Sequence, residues 1–166
     1  MVSVDKSRIV QSLERVMVGS QKDLTVTQIY YSSLEAVRGA PKDAVVISIL
    51  DDYGSRPVLE VPDENRFVLR TKFLVKSFEV SEAAIHAMMD FLLPKLRAGV
   101  KTVIFHCTEG RVRSPSIAQE LLFNLIDHGY EVDIAGLYGS DKSFSNRDRG
   151  LMLNVRCALS TYDWNT

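Results

Sequence analysis

An α/β fold with a largely parallel central sheet flanked by helices follows from three features of the sequence. Apolar runs of strand length, such as Ala44-Val45-Val46-Ile47-Ser48-Ile49-Leu50 and Lys101-Thr102-Val103-Ile104-Phe105, alternate with stretches of helical periodicity. These runs are continuous rather than alternating, which suits central strands covered on both faces. Clusters of Gly, Pro, Asn and Asp separate the segments, and no repeat, low-complexity tract or linker interrupts them.

Taken in order, Val4 to about Val18 carries Ile9, Val10, Leu13, Val16 and Met17 at helical spacing and stops near Gly19-Ser20. Leu24–Tyr31 is β-favouring. Ser32-Ser33-Leu34-Glu35-Ala36-Val37 offers a capping serine and then helix formers, which stop at Gly39-Ala40-Pro41. Ala44–Leu50 is a central strand running into the polar turn Asp51-Asp52-Tyr53-Gly54. Val58–Val61 and Phe67–Phe73 are predicted as two shorter strands around Pro62–Asn65, and Ser77–Ser81 as a loop with a helix cap. Glu82–Ala98 has Ile85, Met88, Met89, Leu92, Leu93 and Leu96 on one face. Pro94 is expected to kink or divide that helix, and Gly99 to close it. A helix from about Pro115 to His128 buries Ile117, Ala118, Leu121, Leu122 and Leu125 and stops at Gly129. Glu131–Leu137 reads as a short strand or extended link. The polar loop Tyr138–Ser145 precedes a last helix over Asn146–Tyr162.

The 166 residues suit a single domain, 1–166, with a helical extension over 1–20 and a core over 24–164. Twenty Lys and Arg against 21 Asp and Glu give a net charge of −1, so no basic footprint for nucleic acid exists. No apolar run is long enough to span a membrane, and the first residues lack the apolar core of a secretory signal. Two cysteines without metal-type spacing point to the cytoplasm, with neither metal nor cofactor. Cys157, inside an apolar helical pattern, is expected to be a small buried hydrophobe.

The candidate site is the stretch from His106 to Ser114. Cys107 follows a buried strand, and Arg113 stands six positions later where a helix begins. Backbone N–H groups in a loop of this kind converge on an anion, the helix N-terminus adds positive potential, and that field favours a cysteine thiolate. Arg113 supplies a planar fork for a phosphate-like group. Both Cys107 and Asp51-Asp52 fall at carboxyl ends of strands, where α/β sheets place their sites.

In this form, His106-Cys107-x-x-Gly110-x-x-Arg113-Ser114 resembles the signature loop of the cysteine-dependent protein tyrosine and dual-specificity phosphatases. The likeness is close over this loop and looser beyond it, where it rests on the order of elements. It implies a phosphatase-like fold and two-step hydrolysis of a phosphoprotein, with Cys107 as nucleophile. Thr108, Glu109, Gly110, Arg111, Val112 and Arg113 would surround the phosphate. The resemblance also implies that Ser114 donates its hydroxyl to the sulfur and that His106 supports the loop backbone. Phosphotyrosine is the expected substrate, with phosphoserine or phosphothreonine as further ones. An aryl leaving group needs less help from an acid, and beyond Arg113 the loop carries only Arg111 as a further cation.

The sequence departs from the family's pattern in the general acid. Where those phosphatases carry an aspartate well upstream of the cysteine, this chain has Leu74-Val75-Lys76 and no carboxylate. Glu79 is the nearest candidate, with Asp51, Asp52 and Asp141 as alternatives. Two other functions use a similar loop: an inactive relative that binds phosphate without turnover, and a sulfurtransferase of the rhodanese type. The His-Cys opening and Arg-Ser close favour phosphate. An arsenate reductase is more distant, since no resolving cysteine lies near the loop.

Overall fold

Continuous apolar strands need cover on both faces, and a six-stranded sheet receives it unevenly. The computed structural model describes residues 26–74, 76–108, 112–138 and 146–165. The helix expected over Val4–Val18 lies outside them, as do Glu109, Gly110, Arg111 and Asp141. The strands are β1 (Thr27–Ser32), β2 (Val45–Asp51), β3 (Arg66–Leu74), β4 (Ser77–Glu79), β5 (Thr102–His106) and β6 (Val132–Leu137). The helices are α1 (Leu34–Val37), α2 (Glu82–Arg97), α3 (Arg113–Asp127) and α4 (Arg149–Ser160). The sheet order is β4-β3-β2-β5-β1-β6, parallel throughout except for β4, which runs antiparallel to β3. The fold is thus α/β with a mostly parallel sheet flanked by helices, an arrangement consistent with the phosphatase-like expectation.

One face carries the larger core. Ile29, Ile47, Ile49, Leu69, Val103 and Phe105 pack there against Ile85, Met88, Met89, Leu92 and Leu93 of α2, Ile117, Leu121 and Leu125 of α3, and Leu151, Val155 and Leu159 of α4. With Leu96, the six inward side chains of α2 alone remove enough apolar surface for roughly 10 kcal/mol of transfer free energy. Replacing one of them, Leu92, by Ala would cost about 2–5 kcal/mol. The opposite face has a smaller cluster, Val37, Ala44, Val46, Val61 and Ile104, and it shares that side with buried polar groups of β2 and β5.

Four expectations change. Val58–Val61 forms no strand: Val61 is buried in the smaller cluster while Val58 is exposed, as a segment covering the sheet requires. Ser77–Glu79 is a strand rather than a loop, because β3 offers its edge to a segment too short to show periodicity. Pro94 neither breaks nor divides α2. It lies exposed in the last turn, where the carbonyl it deprives of a partner can reach water. Cys157 is exposed, because the buried stripe of α4 runs through Leu151, Val155, Ala158 and Leu159 and leaves residue 157 on the outer side. Gly99 (φ 86°) and Gly129 (φ 90°) do end α2 and α3, in the left-handed conformation that glycine adopts without strain.

Candidate anion site at the carboxyl edge of the sheet

Cys107 emerges directly from β5, and the neighbouring strand holds it in place. Its N–H donates to Ser32 O at 3.1 Å, and Thr108 O accepts from Leu34 N at 3.1 Å, so the end of β1 fixes the start of the loop. The far end of the loop is the first turn of α3. Helical geometry there begins at Arg113, two residues earlier than expected, with Pro115 inside the first turn where it costs little. Val112 is the N-cap and has no capping side chain.

That uncapped start has a chemical use. Ser114 N–H points to Cys107 Sγ at 3.5 Å, and Ser114 Oγ lies 3.3 Å from the same sulfur. A helix-terminal amide that would otherwise lack a partner thus faces the sulfur, with a hydroxyl beside it. Cys107 and Ser114 are buried.

Arg113 extends from the same turn and is also buried. Its NH1 donates to Asp51 Oδ1 at 2.8 Å and to Thr71 Oγ1 at 3.1 Å, and its NH2 to Thr108 Oγ1 at 3.5 Å. The register explains the first two contacts: Asp51 and Thr71 are paired positions of β2 and β3, side by side where β2 ends. The guanidinium carbon lies over the Phe78 ring, 4.6 Å from its centroid, so β4 covers one side of the cation.

His106 is buried on the other face of the sheet, its Nε2 2.7 Å from Ser48 Oγ on the paired position of β2. Burial, opposed in part by the Cys107 backbone and reinforced by the charges of Arg66 and Arg113, pushes its pKa down to about 4. The ring is therefore neutral at physiological pH, and its bond to Ser48 ties β5 to β2 beside the cysteine.

The candidate acids separate clearly. Asp51 is the one in contact with Arg113. Asp52 is exposed on the following turn, whose backbone is held by Arg70: NH1 donates to Asp51 O, Asp52 O and Gly54 O at 2.8, 3.3 and 2.6 Å. Glu79 is exposed on β4, where strand alternation directs it away from the side on which Phe78 meets Arg113. Three contributors escaped the sequence reading: Thr71, Phe78 and Ser48. Thr71 left a faint signal, a polar residue in step with Phe67 and Leu69 on the inward side of a strand. Phe78 left none. Among the described residues no group of His, Cys, Asp and Glu gathers as a metal site.

No family model matches the chain, and no solved structure matches it. A protein of Jannaschia sp. (strain CCS1) described as a nucleotide-binding protein is 35% identical over 89 residues, covering 52% of this chain. The match spans 28% of that protein's length, so the likeness concerns a part of it.

Proposed function

We propose that the protein is a cysteine-dependent phosphatase acting on phosphotyrosine in phosphoproteins, through a cysteinyl-phosphate intermediate. The observation that carries this reading is the pair of Ser114 donors on Cys107 Sγ at the start of the helix that also bears Arg113. In the first step sulfur attacks phosphorus, an S–P bond forms, the P–O bond to tyrosine breaks, and the phenolate takes up a proton. In the second, water attacks phosphorus and releases inorganic phosphate and the thiolate. Arg113 and the loop amides hold the equatorial oxygens, and positioned donors of this kind supply much of the rate in phosphoryl transfer.

Aryl phosphates suit this site best. Asp51 is engaged with the guanidinium, and Glu79 is directed away from it, so proton donation to a poor leaving group has weak support. We place the protein in the cytoplasm, where both cysteines stay reduced. No helix among the described residues is long and apolar enough to cross a membrane.

Hydrolysis of para-nitrophenyl phosphate by the wild type and by Cys107→Ser tests the reading. Turnover in the first and none in the second is expected; equal rates would remove the enzyme assignment. The relative's description favours one second reading, in which the loop binds the phosphates of a nucleotide without turnover. Tight binding of a nucleoside phosphate with no phosphate release from any aryl ester would select it.

A further inference from the structure

A cluster of polar contacts with no part in the chemistry above converges on Asp148. One carboxylate oxygen accepts from Leu151 N at 3.0 Å and from Ser77 Oγ at 2.8 Å, and the other accepts from Phe78 N at 2.9 Å. The Asp148 N–H donates to Ser116 Oγ at 2.9 Å, and that hydroxyl donates to Val112 O at the N-cap of α3. One residue thus joins β4, α3 and α4 beside the point where the Arg113 side chain leaves its helix.

Capping α4 requires only the bond to Leu151 N. The remaining bonds go to β4, which needs them. It has three residues at the sheet edge, and so short a strand has little persistence of its own. The fit is close: a Cβ on Gly150, in the first turn of α4, would collide with the Ser77 side chain. Val80 N, just beyond β4, adds a bond to Asn154 Oδ1 at 2.7 Å. Burial works against the Asp148 charge, but the bonds from Phe78, Leu151, Ser77 and Gly150 outweigh it and hold its pKa below the usual range.

We propose that Asp148 is a positioning residue for the anion site, fixing β4 so that the Phe78 ring holds the Arg113 guanidinium in the plane its present contacts define. The proposal rests on reading Arg113 as the phosphate-holding residue. A ring against the face of a guanidinium restrains its plane while leaving its N–H edges open. Those edges are the ones that meet Asp51, Thr71 and Thr108.

Calorimetric binding of inorganic phosphate to the full chain tests this with three single variants and one double. Asp148→Ser retains a capping oxygen for α4 but cannot span to Phe78, so the protein should stay folded by circular dichroism while phosphate binds about 5–10-fold more weakly. Phe78→Leu keeps bulk without the ring and should weaken binding to a similar extent. The double variant should be no weaker than either single one, because both break the same link; effects that multiply would overturn the proposal. Unchanged affinity in Asp148→Ser, or in Phe78→Leu should the first variant fail to fold, would overturn it as well. Wild-type protein that ignores phosphate, or binds it equally after Arg113→Ala, would instead sink the anion-site reading and this proposal with it.

Discussion

Arg113 and Arg156 each meet a carboxylate at 2.8 Å, yet the two pairs are inverted. In the first the guanidinium is 10% exposed and Asp51 is 68% exposed; in the second Arg156 is 60% exposed and Glu120, on α3, is 4% exposed. The buried partner cannot exchange its ligand for water, whereas the exposed one can. Glu120 therefore depends on Arg156, which grips it through Nε and NH2, and the pair joins α3 to α4. Asp51, by contrast, can return to solvent when another anion approaches Arg113. The same residue types make a fixed joint in one place and an exchangeable contact in the other.

Removing the buried cation should break the comparison most visibly. Arg113→Ala is expected to lower kcat/KM for para-nitrophenyl phosphate by at least about 100-fold, the scale of a lost transition-state donor. Its Tm should change little, because Asp51 is already well hydrated. A large loss of stability with activity retained would reverse the roles assigned here.

His106 sharpens the contrast from a third direction, as a buried group that gives up its charge because burial strips the charged ring of water and Arg66 and Arg113 add to the cost. Its pKa falls from 6.5 to about 4 on folding, so the unfolded chain takes up this proton first as pH drops. Stability should therefore decline between those values by about 3 kcal/mol, and His106→Asn should flatten that part of the curve. Urea unfolding at stepped pH measures it; an unaltered slope in the variant would count against the neutral, buried assignment.

Arg156→Met should lower Tm by several degrees while leaving phosphate affinity intact, and adding Glu120→Gln should restore part of the loss. No rescue would mean that the carboxylate was not the strained partner. The smallest effect is expected from Asp51→Asn, which retains an acceptor oxygen but removes a charge competing with phosphate. Phosphate should bind a few-fold more tightly and the rate should hold. A fall in kcat of about 100-fold would mark Asp51 as the general acid instead.

The parts of this molecule legible in the sequence are those whose determinants are local. A strand, a cysteine, a polar loop and a helix start follow one another within a dozen residues, so the position of Cys107, Arg113 and Ser114 at one edge could be read directly. Contacts created by register could not. Nothing in the chain near Asp51 announces that Thr71 is its neighbour, since that follows from the pairing of β2 with β3. Phe78 was hidden for the same reason: Ser77–Glu79 becomes a strand only because Leu74 to Lys72 lie beside it. Val58–Val61 is the opposite error, β-favouring residues with no edge to join. Cys157 shows that an apolar neighbourhood in sequence is not a buried stripe in space.

The hydroxyl of Ser114 lies between two acceptors, Cys107 Sγ at 3.3 Å and the Ser32 carbonyl at 3.4 Å, and it has one hydrogen to give. A bare sulfur anion would draw that hydrogen, while a sulfur already bonded to phosphorus would let it swing back to the backbone of β1. The rotor needs no movement of the main chain, so in the proposed reaction the leaving power of sulfur would be renewed at each cycle by the turn of a single bond.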